Sequence, residues 1–151
     1  MAQNIFSVSD YESIILRIKK LEPDSPGRWG KMNILQMLEH CCLQLRLGLG
    51  DLEQQAFEGP SLMRTKFGRW VALYAMPWSR NLRTPSQMNM LSNSASVSDF
   101  EEAKTQLIDL LMTIKQSTNL KPHPFFGKIN QKDWGRLIWK HLDHHLKQFG
   151  G

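Results

Sequence analysis

The sequence predicts an all-α fold: an up-down bundle of helices joined mostly by short turns. Three observations carry this expectation. Apolar residues recur with helical period through most of the 151-residue chain. No segment alternates polar and apolar residues strongly enough for a convincing strand. Start and stop signals, with Ser, Asp or Asn ahead of apolar runs and Pro or Gly behind them, mark out five helices.

The first helix is expected from Asp10 to about Leu21, with Ser9 and Glu12 as a capping box. Its apolar stripe is Tyr11, Ile14, Ile15, Ile18 and Leu21, and Pro23 to Gly27 ends it. The second helix is expected from Met32 to Leu49, stopping near Gly48 or Gly50. Its apolar face is Ile34, Leu35, Leu38, Cys41, Cys42, Leu45 and Leu49, while Glu39 and Arg46 mark a narrow charged stripe. Between them runs a row of uncharged polar residues, Asn33, Gln36, His40 and Gln44. Such a row either lines a polar cleft, where groups hydrogen-bond without full charge, or is simply a solvated stripe.

Pro60 and Ser61 open a third helix over Leu62 to Met76, which Pro77 terminates. Residues 79–97 are rich in Ser, Asn and Arg and read as a long irregular loop, either a functional lid or a mobile connection. Ser98 and Glu101 form a second capping-box pattern, launching a helix through about Gln116. Phe100, Ala103, Leu107, Leu110, Leu111 and Ile114 are its stripe. Pro122 to Gly127 reads as a turn anchored by Phe125 and Phe126. Asn130 or Gln131 starts the last helix, which is expected to end at Gly150.

Bulk properties narrow the function. At 41% hydrophobic and 22% charged, the composition is that of an ordinary soluble protein, and the length suits one domain over residues 1–151. The longest apolar stretch, Trp70 to Trp78, falls short of the roughly 20 residues of a membrane span, and Pro77 interrupts it. No membrane partner is therefore expected. The first residues have neither a basic nor an apolar signal region, so cytoplasmic residence is expected. Cys41 and Cys42 are helix neighbours pointing about 100° apart, so a disulfide between them is not expected. They read as small core residues, with a thiolate ligand at Cys41 as the alternative. The net charge of +5 is spread along the chain. Its densest stretch, Arg64 to Arg83, interleaves Phe67, Trp70 and Trp78 with cations. That pattern reads as a core face backed by a solvated basic face, which argues against nucleic-acid binding.

The histidines carry the functional signal. His141 and His145 lie four residues apart in the last helix, on the face of Trp134, Leu137, Ile138 and Gln148, with His144 at its margin. Residues at that spacing share a helix face, with Cβ atoms about 5–6 Å apart. Two inward imidazoles need partners for their nitrogens, supplied either by a metal ion or by carbonyls and water. His40, within the polar row of the second helix, is the leading third ligand, because bundle metal sites are built from facing helices. His123 stands between two prolines in a turn and flanks such a site rather than completing it.

Trp29 to Asn33 with Met37 to Cys41 resembles the second-helix region of the DinB/YfiT-like superfamily of metalloenzymes, nearest a subgroup without an assigned function. His123 to Lys128, Lys140 to His145 and Gln148 to Gly150 are similar to the closing segments of that subgroup. The resemblance spans nearly the whole chain and is weakest over 52–97. It implies a DinB-like up-down four-helix bundle, often paired as a homodimer, so that one of the five helices is an additional short element. It also implies a divalent metal, zinc or nickel, held by three histidines, here His40, His141 and His145. Some relatives are S-transferases or isomerases using a low-molecular-weight thiol; no residue here identifies such a thiol.

Three neutral imidazoles leave an ion's charge uncompensated and a position open, which lowers the pKa of a coordinated water or thiol. A small-molecule substrate follows, met by Gln36 and Gln44, with His144 and Gln148 as supporting groups. No individual catalytic residue is singled out. The alternative is a non-catalytic binding or interaction protein with a structural or vestigial metal site, using the basic, aromatic third helix as its contact surface.

Overall fold

The structure is a computed structural model, and it describes residues 1–53, 59–80, 84, 86–91 and 97–151. Among these residues the chain is all-helical and has no strand. Helices α1 (Val8–Lys19), α2 (Ile34–Leu49), α4 (Phe100–Gln116) and α5 (Gln131–Gln148) are long; α3 (Lys66–Trp70) is short. α1 packs against α4 and α5, and α2 packs against the same two. The four long helices therefore form a ring around one core, with Ile14 and Ile18 from α1, Leu38 and Leu45 from α2, Leu107 and Leu111 from α4, and Trp134 and Ile138 from α5. No helix among the described residues is long and apolar enough to cross a membrane.

α1 begins earlier than its sequence suggests. The expected Ser9–Glu12 capping box is absent; Ser7 occupies the cap without a side-chain hydrogen bond. The reason is tertiary. Ile5 is fully buried and its N–H donates to the carbonyl of Gly135, 3.1 Å away. A turn then carries the chain directly into the helix, with Asp10 accepting from the Asn4 N–H. A Cβ at position 135 would lie 2.0 Å from Asn4 Oδ1, so only glycine admits this strap.

α2 opens with a capping box that the sequence reading did not identify. Asn33 Oδ1 accepts from the Gln36 N–H, and Gln36 Oε1 accepts from the Asn33 N–H, both at 2.9 Å. Gly50, at φ 89°, ends the helix in the left-handed conformation that glycine adopts most easily. Gly48 stays inside the helix, where Trp134 covers it.

The third helix is not continuous. A 3₁₀ turn over Ser61–Arg64 is followed by extended Thr65, then α3, then a π-type turn over Val71–Ala75. Thr65 causes the break: its hydroxyl donates to the Leu62 carbonyl at 2.7 Å and accepts from the Gly68 N–H at 3.0 Å. Met76 is extended ahead of Pro77, the conformation that a following proline favours. This connecting segment is the additional short helix.

The expected loop over 79–97 is partly ordered. Ser86–Met88 form a 3₁₀ turn, and Met88 and Met90 are buried; Pro85 and residues 81–83 and 92–96 lie outside the described set. α4 is capped by Asp99, which accepts from the Glu102 N–H at 2.8 Å, so the box expected at Ser98 gives way to a cap one residue later. Asn130 caps α5 through the Asp133 N–H, and the helix stops at Gln148 rather than Gly150.

Candidate metal centre

α2 and α5 pack against one another and bring His40 together with His141 and His145. All three residues are buried, and one ligand nitrogen from each lies within 4.8 Å of the others. The ring centroids form a nearly equilateral triangle with sides of 4.7, 4.7 and 4.6 Å. Together the three histidines could hold a metal ion.

Two rings are oriented by fixed partners. His40 Nδ1–H donates to the Met88 carbonyl at 2.7 Å. His145 Nδ1–H donates to Gln148 Oε1 at 2.8 Å, and Gln148 Nε2 donates in turn to the Trp29 carbonyl at 2.7 Å. Because a carbonyl only accepts, the Trp29 contact fixes which way the Gln148 amide faces and hence the tautomer of His145. Both rings are left with Nε2 as a lone-pair donor. Such outer hydrogen bonds usually orient metal-ligating histidines.

His141 Nε2 lies 2.8 Å from His40 Nε2, and its Nδ1 is buried without a hydrogen-bond partner. Two nitrogens on a tetrahedral zinc ion, each about 2.0–2.1 Å from it, would stand about 3.3–3.4 Å apart. The 2.8 Å contact is the length of a direct N–H···N hydrogen bond, and a shared cation would need the two rings to part slightly. Without one, His141 must direct a ring proton at His40.

Electrostatics keep the rings neutral. Burial is the main force lowering the pKa of all three: His145 falls to about 3, His141 well below the usual imidazole value, and His40 below it too, against the opposing pull of its hydrogen bond to Met88. Mutual repulsion among the rings adds to the effect at His141. Their lone pairs are thus free for a cation near neutral pH.

The triangle borders a cavity of about 1180 Å³. Gln44, one helical turn beyond His40, is on its wall; only 2% of the residue is exposed, and its Oε1 has no hydrogen-bond partner. Half-buried His144 is also on the wall, edge-on to Trp29 and Trp78. Gln148 reaches the site as expected. Gln36 does not: its oxygen serves the α2 cap, its nitrogen donates to the Met90 carbonyl at 3.2 Å, and it lies off the cavity wall. The polar row of α2 thus splits, with its first turn spent on capping and its later turns facing the cavity.

His123 is buried against Phe125, Phe126 and Trp134 and lines the cavity without joining the triangle. Its Nδ1 accepts from the Phe125 N–H at 3.1 Å, and burial lowers its pKa to about 3. Asp143 turns away from the site and pairs with Arg17 of α1 at 2.8 Å and with Lys147 at 2.7 Å. Cys41 and Cys42 are free and buried, with both thiols pushed up by burial, Cys42 to about 12. Neither sulfur belongs to the histidine group, which disposes of Cys41 as a thiolate ligand.

Two supports escaped sequence reasoning. Met88 belongs to the loop, and no local pattern announces a carbonyl that will meet His40. Lys140, one residue before His141, is buried and donates to the carbonyls of Ala72, at 2.6 Å, and Met76. Those carbonyls lie near the start of the π-type turn and just past its end, so Lys140 holds the segment that carries Trp78 over the cavity. A lysine on the inner face of a helix was the available signal.

A family model described as "Protein of unknown function (DUF1569)" matches residues 3–150. No curated protein and no solved structure matches the chain.

Proposed function

The chain belongs to the DUF1569 family, and we propose that it is a divalent-metal protein of the DinB/YfiT-like kind, acting on a small molecule in a thiol-dependent transfer. The single observation behind this reading is the triangle of buried, neutral imidazoles beside a large cavity. His40, His141 and His145 would hold the ion; zinc and nickel both suit imidazole donors. A bound ion supplies Lewis acidity, lowering the pKa of a thiol or water at its open position. Met88 and Gln148 fix the rings. Among the described residues no carboxylate lines the cavity, so no general-base carboxylate stands ready for hydrolysis. In the transfer a thiol loses its proton, its sulfur forms a bond to an electrophilic carbon, and the leaving group departs with the electron pair. His144, the half-buried titratable group on the wall, is positioned to accept the proton. Cytoplasmic residence, where thiols stay reduced, accords with this chemistry.

A second reading is a non-catalytic interaction protein with a structural ion. Exposed Leu62, Phe67 and Trp70, at 56%, 68% and 55%, favour it, since they place apolar surface beside Lys66 on the connecting segment. A homodimer through that segment is the corresponding assembly.

The test is to load untagged protein with zinc or nickel and screen low-molecular-weight thiols against alkyl and aryl electrophiles. Thiol consumption that depends on the ion and disappears in His141→Ala supports the enzyme reading. Stoichiometric metal without turnover, together with a dimer by light scattering that Trp70→Ser dissociates, supports the second.

A further inference from the structure

The cavity is larger than its metal site requires. Its volume of about 1180 Å³ exceeds the roughly 300–1,000 Å³ typical of pockets for drug-sized ligands. Its wall is unusual in composition. Five of the chain's eight methionines, Met32, Met63, Met76, Met88 and Met90, line it. Methionine is unbranched, polarisable and adaptable, so a wall rich in it suits apolar bodies of varied shape. Trp78 and Phe125 add flat aromatic faces.

Against this apolar wall stands a buried acceptor that the histidine site does not use. Gln44 is almost wholly buried, lines the cavity, and has an Oε1 without a partner. Gln44 follows His40 by four residues on α2, so the two side chains are neighbours on one face. A buried acceptor left without a donor is destabilising, and in this cavity the donor is either a water or a ligand group that displaces it.

We propose that the cavity receives a ligand with a long or aromatic apolar body ending in a hydrogen-bond donor, and that Gln44 Oε1 accepts from that donor beside the three histidines. The methionine wall takes the body and tolerates variation in it. Gln44 selects the end that enters. The inference rests on the metal-centre reading only for what happens to the ligand once it is bound; recognition needs no ion.

The experiment titrates primary alcohols from butanol to decanol into the full chain, with and without zinc, and follows the fluorescence of Trp29 and Trp78, which line the cavity. The Kd is expected to fall about fourfold per added methylene. Decanol is then compared with its isomer 1-methoxynonane, which lacks the donor. In the unaltered protein the alcohol should bind at least about fivefold more tightly. In Gln44→Leu that preference should vanish or reverse. Affinity independent of chain length, or equal binding of alcohol and ether by the unaltered protein, overturns the proposal, and neither comparison depends on how the variant folds. Phe67→Ser, which alters exposed apolar surface only, should bind decanol unchanged; loss of binding there would place the ligand outside the cavity. Chain-length dependence without any zinc binding would overturn the metal reading and leave this one standing.

Discussion

Replacing Gln148 by Leu removes two hydrogen bonds and should weaken metal binding without dismantling the helix that carries it. Gln148 is 3% exposed, and its amide bridges two elements, accepting from His145 at 2.8 Å and donating to the Trp29 carbonyl at 2.7 Å. Leu is close in size, so packing changes little while both hydrogen bonds disappear. Removing the outer partner of a metal-bound histidine typically costs 10–100-fold in metal affinity, about 1.4–2.8 kcal/mol. Loss of the two neutral hydrogen bonds lowers stability by about 1–3 kcal/mol. Gln148→Glu separates the two effects: a carboxylate still accepts from His145, so zinc affinity should largely return. It cannot donate to Trp29, so the stability deficit should remain. Affinity is measured by competition with a chelating indicator dye and folding by circular dichroism. A folded Gln148→Leu protein with undiminished zinc affinity would falsify the idea that this amide sets the ligand ring.

Three other outcomes are expected. His123 has a folded pKa of about 3 against about 6.5 unfolded. Below pH 6.5 the unfolded chain therefore takes up a proton that the folded one refuses. Its contribution should cost about 1.4 kcal/mol per pH unit as pH falls from 6.5 towards 3, about 2 kcal/mol by pH 5. His123→Phe should flatten that part of the stability–pH curve while retaining zinc; an unchanged slope, or loss of metal from a folded variant, contradicts this. Lys140→Met should lower stability by roughly 2 kcal/mol, because it strips the donor from the Ala72 and Met76 carbonyls. Denaturant titration checks that value, and an unperturbed midpoint would mean that the π-type turn holds itself. Gly135→Ala would set a Cβ 2.0 Å from Asn4 Oδ1, so it should destabilise by about 1–3 kcal/mol. Faster proteolysis at the N-terminal strap should accompany the loss; wild-type resistance would show that the strap yields freely.

Much of this architecture is written locally. The apolar stripes of α4 and α5 have clean helical period, and their extents lie within a few residues of expectation. The histidine group is also local in part, since His141 and His145 face one way by spacing alone and His40 stands in the uncharged polar row of α2. What the sequence conceals is tertiary. The start of α1 depends on Ile5 docking beside Gly135, a partner far along the chain. The break at Thr65 is a contest between a hydroxyl and the helix backbone, legible only as a Thr three residues before a Gly. Gln36 shares the polar row with His40 and Gln44, yet a capping box claims it, because the helix begins two residues later than its pattern suggests. The carbonyl that fixes His40 comes from a loop whose path no periodicity encodes.

If residues 40, 141 and 145 grip a common ion, elemental analysis of untagged protein should find about one divalent ion per chain. That ion should be lost in His141→Ala and in His40→Ala while helical content persists. Full occupancy in a folded His141→Ala protein, or none in the unaltered protein after exposure to zinc and nickel, would contradict this.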